Sequence, residues 1–550
     1  MLPRSTTLAI VVLALTAPGL DAQVTSERLR NTAEEPHNWL TYSGNYASTR
    51  HSTLSEIDTS NVGELELKWV FQAQSLEKFE TSPLVVDGIM YLTEAPNTVV
   101  ALDATFGRVF WQYEYTPSAE SRPCCGRVNR GVAILDETLF MATIDAELIA
   151  IDTVTGQPIW QTNVGDPSLG YAMTLAPLVV DDKVIVGVAG GEFGIRGYIS
   201  AFDAATGEEV WRFYTIPGPG EPGHETWEGG GDAWMHGGAS VWLTGSYDPE
   251  LNLTYWGIGN PGPDWNAAQR PGDNLYSDSV VALDADTGEL VWYFQFTPGD
   301  PYDYDAVQIP VLADLDIPDF SSGKLMLWAN RNGFFYVLDR ETGQFISGEA
   351  FVRVNWASGL DEAGRPIQTP QPLGETTYPC VAGGTNWYSP SFSPNTELFY
   401  VTAWDGCGSV FRPVEVEYVP GQRFLGGRPT NPDPGAPGLA GLERGPINNW
   451  TEARGTGAVI AIDPRTHEHR WRFDMTDVSS AGILTTATDL LFTGSRDGFF
   501  HALDARDGEL LWRTILGGPF ANGPMTYEAG GSQFVAVASG NGLFVFGLRD

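Results

Sequence analysis

Residues 282–292 read ALDADTGELVW, and close variants of this stretch recur along the 550-residue chain. In each copy an aspartate follows an apolar residue, a turn of mostly threonine and glycine comes next, and a tryptophan stands eight residues after the aspartate. The other copies end at Trp111, Trp160, Trp211, Trp471 and Trp512; a further copy ends at Ser347 in place of tryptophan, and a weaker relative ends at Trp69.

This repeat has the chemistry of a β-hairpin. Aspartate starts a turn by accepting hydrogen bonds from the backbone amides ahead of it, and glycine takes the position with positive φ. The next strand delivers the tryptophan to a layer between sheets. A second strand pair, such as PLVVDGIMYLTEAPNTVVALD at 83–103, precedes most copies. Four short strands in about 40 to 50 residues predict a propeller blade.

The widest gap between copies runs from Asp339 to Asp463. It contains the strand-like ELFYVTAW at 397–404 and an insert rich in glycine and proline between Pro420 and Pro446. We interpret the gap as one blade plus a long loop. The sequence therefore predicts an all-β, eight-bladed β-propeller with tryptophan-docking repeats, formed by residues 23–550 as a single domain. The chemistry must come from the loops, because the blades are scaffold.

Residues 1–22 have the layout of a secretory signal peptide, with Arg4 near the start, an apolar run from Leu8 to Ala17 and small residues ending at Ala22. The apolar run is too short to span a bilayer, and no later segment approaches twenty apolar residues in a row. We therefore expect no transmembrane segment and export to the periplasm.

The net charge of -38 arises from 69 acidic and 31 basic residues. This negative charge repels nucleic acid and anionic membranes, which are therefore poor partners. A basic protein partner or a salty habitat would suit it, and a merely solvated surface explains it equally well.

The four cysteines of an exported chain favour two disulfides. No CxxC or CxxCH motif is present, which argues against a zinc ribbon, a thioredoxin-like site and a c-type haem. Cys124 and Cys125 are neighbours, and a bond between them would close a strained ring of the kind that marks functional sites. The alternative is that each pairs with a distant cysteine, since four cysteines permit three connectivities.

The repeat, the cysteine pair and several loop motifs together resemble the quinoprotein alcohol dehydrogenases over nearly the whole mature chain. The motifs are MTLAPLVV, GGEFGIRGY, GIGNPGPDWN, RPGDN, YDYDAVQ, NRNGFFYVLDRETG and DGFFHALDARDGELLW. Members of that family are eight-bladed propellers that use pyrroloquinoline quinone (PQQ) and a metal ion. The resemblance implies a Cys124–Cys125 disulfide against one face of the quinone, Trp242 against the other, and a second disulfide between Cys380 and Cys407.

The resemblance also implies a set of polar groups around the carboxylates and carbonyls of PQQ. Ala189 stands where the family often has serine, so one hydrogen bond would be missing. The remaining positions that match cofactor contacts are Glu80, Arg130, Thr174, Gly190, Gly191, Arg331 and Asn386.

The metal ligands implied by the resemblance are Glu192, Asn260 and Asp303. Such oxygen ligands indicate a hard cation. Asp305 resembles the lanthanide-dependent branch of the family, because with Glu192 and Asp303 it supplies three negative charges; Ca²⁺ is the alternative. In an extended segment residues two apart face the same way, so both aspartates could reach one ion. The bland alternative is that Asp305 only solvates a loop.

The activity implied is oxidation of an alcohol to an aldehyde or ketone by hydride transfer to PQQ, with Asp303 as the catalytic base and Arg331 assisting. A separate soluble cytochrome c would accept the electrons, because the chain has no haem motif. Trp265 matches a wall of the substrate pocket. Ser480 stands where the family has tryptophan, which favours a substrate larger than methanol unless a neighbouring loop fills the space. The oligomeric state stays open, with a homodimer among the options.

Three other functions deserve comparison. Residues 257–262 fit GxGxxG, but Pro263-Asp264-Trp265 follows where a dinucleotide site needs a helix. A PQQ-dependent dehydrogenase of sugars or other polyols is a nearer alternative, although the membrane-bound glucose enzymes lack the cysteine pair. A non-catalytic propeller scaffold would have neither adjacent cysteines nor converging carboxylates.

Overall fold

The computed structural model describes residues 23–229, 231–318, 320, 322–430 and 455–549. The predicted signal peptide, residues 1–22, and part of the insert, residues 431–454, lie outside the described residues. The described chain forms eight four-stranded antiparallel sheets, the blades of a propeller, which confirms the predicted fold.

The blades follow one another along the chain. In blades 1 to 7 the four strands lie side by side in the order in which they occur in the sequence. Blades 1 to 4 comprise Leu84–Val86, Ile89–Glu94, Thr98–Asp103 and Val109–Glu114; Ala133–Leu135, Thr138–Ala142, Glu147–Asp152 and Pro158–Asn163; Leu178–Val180, Lys183–Gly187, Tyr198–Asp203 and Glu209–Tyr214; and Ser246–Asp248, Leu253–Gly257, Ser279–Asp284 and Leu290–Gln295. Blades 5 to 7 comprise Val311–Asp314, Lys324–Ala329, Phe334–Asp339 and Phe345–Ala350; Ser391–Ser393, Leu398–Asp405, Thr456–Ile462 and His469–Asp474; and Leu484–Thr486, Leu490–Gly494, Phe499–Asp504 and Leu510–Ile515.

Blade 8 combines the two ends of the described chain. Its strands Met525–Ala529, Ser532–Ser539 and Gly542–Leu548 are completed by Leu65–Gln72, which pairs antiparallel with Gly542–Leu548. A short strand, His51–Ser52, adds in parallel to the first strand of blade 7.

Elements outside the blades are short. They are one α-helix, Ser26–Arg30, the 3₁₀ turns Thr32–Glu34, Val62–Glu64, Pro167–Leu169, Gly191–Phe193, His224–Thr226, Ala233–His236 and Ala267–Gln269, and the paired strands Ala357–Leu360 with Pro366–Gln368 and Val410–Pro413 with Gly427–Thr430. Within the described residues no helix has the length and apolarity needed to span a bilayer.

In six of the eight repeats the tryptophan packs on the turn of the next blade. Trp211 Nε1 donates to the Ala285 carbonyl at 3.1 Å, and a Cβ on Gly288 would lie 2.4 Å from the Trp211 ring. Asp284 accepts the backbone amides of the same turn, as the repeat predicts. Other pairs of this kind are Trp69 with Gly107, Trp111 with Gly156, Trp160 with Gly207, Trp292 with Gly343 and Trp471 with Gly508.

The repeat of blade 5 lacks its tryptophan, and the turn of blade 6 that this tryptophan would cover lacks its glycine. Ser347 stands where other blades carry tryptophan, and His467 stands where other turns carry glycine, with φ of 60°. Because no indole covers this turn, it has room for a side chain, and the His467 ring lies 5.7 Å from the Phe335 ring.

The interpretation of the widest gap needs a correction. Its ELFYVTAW segment is the second strand of blade 6, Leu398–Asp405, and the Asp463 repeat supplies the third and fourth strands of the same blade. The gap therefore holds the first three strands of a blade that is already marked by its repeat. The count of eight is reached through the weak repeat at Trp69, which completes blade 8.

Candidate active site

A cavity of about 230 Å³ collects most of the predicted cofactor and metal residues. They lie on loops that precede the first strand of a blade or join its second and third strands, so distant stretches of sequence meet there. The predicted residues that line it are Glu80, Cys124, Cys125, Arg130, Thr174, Ala189, Gly190, Glu192, Trp242, Asp303, Asp305, Arg331 and Asn386.

The structure forms both disulfides implied by the resemblance. Cys124 and Cys125 are bonded, and Cys125 Sγ lies 3.8 Å from Glu192 Oε1, so the sulfurs form one wall of the cavity beside a carboxylate. Cys380 and Cys407 are joined with their Cα atoms 5.0 Å apart. This second disulfide ties the loop before blade 6 to the end of its second strand.

Arg130 is the cationic centre of one side of the cavity. Its Nη2 lies 2.7 Å from Glu80 Oε2, and its Nη1 donates to Thr174 Oγ1 at 2.9 Å. The guanidinium also lies 5.2 Å from the ring centroid of Trp242 and 4.7 Å from that of Trp387. Burial raises the pKa of Glu80, and the charge of Arg130 opposes that rise. The arrangement keeps a fixed positive charge beside an aromatic surface.

A glycine-rich turn presents Glu192. Gly190 has φ of 119°, and a Cβ there would lie 2.2 Å from the Gly170 carbonyl oxygen, so only glycine fits. The turn Gly191–Phe193 follows, and Gly191 itself does not line the cavity. Burial raises the pKa of Glu192 to about 7.

Asp303 and Asp305 reach the cavity by a route that the sequence did not predict. Asp300 accepts the backbone amides of Tyr302 at 2.7 Å and Tyr304 at 2.6 Å, so the chain curls around its carboxylate. Asp303 consequently has φ of 63°, in the left-handed region, and the expectation of an extended segment is wrong at this residue. Both side chains still line the cavity.

Arg331 joins the two aspartates. Its Nη1 donates to Asp305 Oδ2 at 2.6 Å, and its Nη2 lies 3.4 Å from Asp303 Oδ2. Asp305 Oδ1 accepts the backbone amide of Asn260 at 2.8 Å. Asp305 is therefore bonded within the site and does not merely solvate a loop.

Around Asp303 and Asp305, buried carboxyl groups outnumber buried guanidinium groups. Burial and neighbouring acids raise the pKa of Asp264, Asp278 and Asp303, and burial raises that of Asp300 to about 6. The buried cations acting on them are Arg270 and Arg331. An excess of buried carboxylates with oxygen-only donors fits a multivalent hard cation.

The expected metal shell is only partly assembled. Within the described part of the chain, Glu192, Asp303 and Asp305 do not bring one oxygen each within 4.8 Å of the others. Asp303 and Asp305 form ion pairs with Arg331 instead. Asn260 is buried next to Asp305 but does not line the cavity.

The two residues expected to shape the substrate pocket lie outside the cavity lining. Trp265 donates its backbone amide to the Leu425 carbonyl at 3.0 Å, and so braces the segment before residue 431. Ser480 follows Ser479, whose carbonyl accepts Trp404 Nε1 at 2.5 Å. The segment before residue 431 also contacts the site, because Phe424 donates its backbone amide to the Glu192 carbonyl at 2.7 Å.

Sequence reasoning missed several side chains that line the cavity, among them Lys78, Ser240, Trp387 and Tyr388. Trp387 and Tyr388 directly follow the predicted Asn386, so an aromatic pair next to a cofactor contact was the available signal. Lys78 carried no comparable signal.

The structure is a β-propeller with a loop-lined cavity, and comparisons with known proteins give the family. Residues 39–355 match the family described as "Glucose/ethanol/alcohol dehydrogenase, beta-propeller domain" of PQQ proteins. Residues 455–547 also match the family of the outer membrane protein assembly factor BamB, which shares the blade repeat.

Individual relatives agree along almost the whole chain. Quinohemoprotein alcohol dehydrogenase ADH IIB of Pseudomonas putida is 38% identical, over 98% of this chain and 79% of the relative. The lanthanide-dependent methanol dehydrogenase of Methylacidiphilum fumariolicum is 37% identical, over 94% of this chain and 87% of the relative. A solved europium-containing methanol dehydrogenase has a TM-score of 0.86 at 34% identity, covering 95% of this chain and 100% of that one. The chain belongs to the PQQ-dependent quinoprotein alcohol dehydrogenases.

Proposed function

We propose that this enzyme oxidises an alcohol to an aldehyde or ketone with PQQ in the cavity and a lanthanide ion beside it, and that a separate periplasmic cytochrome c takes the electrons. The observation that supports this most is the meeting of the Cys124–Cys125 disulfide, Arg331 and the aspartates 303 and 305 in one cavity. When bound, PQQ supplies a carbonyl group that accepts two electrons, and the ion makes that carbonyl more electrophilic.

Asp303 is proposed as the base that takes the proton of the alcohol hydroxyl. Burial raises its pKa well above the usual range of aspartate, while Arg331 opposes the rise. A carboxylate with a raised pKa takes up a proton more readily, which suits the role of a base. Arg331 holds both aspartates in place and keeps a positive charge at the reacting end of the cavity.

The opposite part of the cavity is proposed to bind the acidic groups of the cofactor. Arg130 and Lys78 supply the positive charges, and Thr174 holds Arg130 by a hydrogen bond. The disulfide and Trp242 present apolar surfaces suited to a flat ring system. Glu192, Asn260, Asp303 and Asp305 are proposed to hold the ion.

The choice of a lanthanide follows from charge. Glu192, Asp303 and Asp305 carry three carboxylates, and Asp264, Asp278 and Asp300 are buried close by. A trivalent ion offsets such an excess better than Ca²⁺ does.

The test is dye-linked alcohol oxidation by protein reconstituted with PQQ and either La³⁺ or Ca²⁺. La³⁺ should restore activity, and Asp303→Asn should remove it while PQQ still binds, as followed by the visible spectrum. Restoration by Ca²⁺ alone would contradict the lanthanide assignment. Full activity of Asp303→Asn would contradict its role as base.

A substrate panel tests the substrate class. Methanol, ethanol, longer and secondary alcohols, polyols and aldoses are compared by kcat/KM. We expect a preference for alcohols larger than methanol, on the basis of Ser480. Strong preference for methanol would contradict that expectation, and preference for aldoses or polyols would favour the alternative dehydrogenase class. Fractionation of the native host tests the periplasmic location.

A further inference from the structure

A hairpin that leaves blade 6 reaches loops on the other blades. It is inserted between the strands Leu398–Asp405 and Thr456–Ile462, and its own paired strands are Val410–Pro413 and Gly427–Thr430. Residues 414–426 between those paired strands are called the tip here. The tip contacts loops within blades 3 and 4 and the loop that leads into blade 2. It therefore joins parts of the propeller that are distant in sequence.

Several contacts hold the tip on these loops. Val416 and Gln269 exchange two hydrogen bonds, since the Val416 amide donates to Gln269 Oε1 at 3.1 Å and Gln269 Nε2 donates to the Val416 carbonyl at 2.8 Å. The Tyr418 ring stacks on the His236 ring, with centroids 3.5 Å apart and planes inclined by 17°. Gly194 leaves room for this stack, because a Cβ there would lie 3.0 Å from the Tyr418 ring. The tip is thus docked on the propeller.

Two adjacent residues of the tip hold two walls of the cavity. Phe424 donates its backbone amide to the Glu192 carbonyl at 2.7 Å, and Arg423 Nη2 donates to the Cys124 carbonyl in a longer hydrogen bond of 3.4 Å. Cys124 and Glu192 both line the cavity, and Cys125 Sγ lies 3.8 Å from Glu192 Oε1. Arg423 and Phe424, called the clasp from here on, therefore tie the disulfide loop to the Glu192 turn.

The clasp is buried at one residue and accessible at the other. Phe424 is 8% exposed, whereas Arg423 is exposed. Rotation of the Arg423 side chain can therefore break its bond, while the Phe424 amide moves only with the backbone. Gly426, with φ of 64°, and Gly427, with φ of 147°, follow the clasp and give the backbone freedom to move. A segment held in this way can lift as a unit, as loops over binding sites do.

We propose that Arg423 and Phe424 are positioning residues that clasp the disulfide loop to the Glu192 turn, and that the tip must lift before the quinone cofactor can leave the cavity. The proposal rests on the proposed binding of PQQ in this cavity. While both hydrogen bonds are made, the two walls stay together around a ligand. When the bonds break, the walls can part. The clasp should therefore act mainly on the rate of cofactor release.

The test measures release of PQQ and does not depend on turnover. Protein loaded with PQQ and La³⁺ is diluted into buffer that contains La³⁺, samples are desalted at intervals, and the PQQ that remains with the protein is read from its absorbance. Arg423→Ala removes one bond of the clasp, and Tyr418→Ala loosens the tip without changing its charge. Arg428→Ala is the matched control, because Arg428 is also an exposed arginine of the hairpin but lies on a paired strand outside the tip.

Arg423→Ala and Tyr418→Ala should each release PQQ about fivefold faster than the wild type or more, and Arg423→Lys, which keeps a donor, should stay within about twofold of the wild type. Arg428→Ala should match the wild type. Unchanged release in Arg423→Ala and Tyr418→Ala would overturn the proposal, as would equal acceleration in Arg428→Ala.

Acceleration in one variant alone would also overturn it. If only Arg423→Ala is faster, the cause is the loss of a positive charge near an anionic cofactor. If only Tyr418→Ala is faster, the bond to the Cys124 carbonyl does not hold the wall.

Two further measurements separate the clasp from other causes. Because Arg423 is exposed, Arg423→Ala should leave the urea midpoint of the apoprotein unchanged, and a lowered midpoint would assign the faster release to general damage. If Tyr418→Ala does not fold, Gln269→Ala takes its place, since it removes both bonds to Val416 and should speed release in the same way. Failure of the wild type to retain any PQQ after desalting would refute the proposed cofactor site, and the clasp with it.

Discussion

Arg130 Nη2 lies 2.7 Å from Glu80 Oε2, with the two side chains only 6% and 4% exposed. Both residues line the cavity, as do Trp242 and Trp387. Loss of one member leaves a buried charge without its partner, which costs far more than loss of a surface ion pair.

Glu80→Gln should therefore destabilise the fold by about 3–5 kcal/mol, measured by urea unfolding. Glu66→Gln is the control, since Glu66 pairs with Lys68 at 2.9 Å on a part-exposed strand. That change should cost less than about 1 kcal/mol. Equal costs would show that burial of the Glu80–Arg130 pair has no energetic consequence.

Gly288→Ala should destabilise the junction between blades 3 and 4. The new Cβ would lie 2.4 Å from the Trp211 ring at a residue with φ of 70°. Gly231→Ala isolates the backbone cost, because Gly231 has φ of 65° and nothing within 4 Å of such a Cβ. The difference between the two free energies of unfolding should be about 1–3 kcal/mol. No difference would mean that the tryptophan does not close tightly on the turn.

The two disulfides should differ in what they stabilise. Cys380 and Cys407 are 27 residues apart, and loss of a loop closure of this length costs about 3–4 kcal/mol. Cys124 and Cys125 close almost no loop, so Cys124→Ser/Cys125→Ser should change the free energy of unfolding by less than about 1 kcal/mol. Its dye-linked activity should nevertheless fall by about tenfold or more, because one wall of the cavity is altered. Retained activity would contradict contact with the cofactor.

Cytochrome reduction should depend on salt. The chain has a net charge of -38, and a basic cytochrome c would be steered toward it. Raising ionic strength from about 20 to about 300 mM should slow reduction of such a cytochrome by about tenfold or more. Reduction of an uncharged dye under the same conditions is the control and should be unaffected. A salt-independent cytochrome rate would argue against electrostatic steering.

Acid should weaken the fold through two histidines, the partly buried His51 and the buried His501. Burial lowers the pKa of His51 and of His501 to about 4, below the value near 6.5 expected in the unfolded chain. The neutral form is favoured in the folded state, so this stability is complete above pH 6.5 and is lost as pH falls toward 4. Each histidine contributes up to about 1.4 kcal/mol per pH unit. His501→Gln should flatten urea-derived stability between pH 6.5 and 4.5, whereas the exposed His37→Gln should not.

The repeat predicted the fold because each blade encodes its turn and its docking tryptophan within eleven residues. Even its exceptions were informative, since Ser347 and His467 change together. The strands of blade 6 were harder to assign, because the insert between Asp405 and Thr456 separates residues that pair in space.

The candidate site was predictable where a motif fixes a local turn, as around Gly190 and Glu192. It was not predictable where conformation depends on a partner outside the motif. Asp303 has a left-handed backbone conformation, and the Asp300 carboxylate accepts the amides of Tyr302 and Tyr304 on either side of it. The spacing of residues in the sequence does not predict such contacts.

The strand Leu65–Gln72 belongs to the same sheet as Gly542–Leu548, although almost five hundred residues of chain separate them. A ribosome makes the first of these strands long before the second. The first strand must therefore wait without its neighbour while seven sheets are synthesised, and its row of open backbone amides must be kept from pairing with other chains. The circle of blades becomes continuous only after Gly542–Leu548 has been made, so factors that hold the unfinished chain unfolded should matter unusually for the yield of this enzyme.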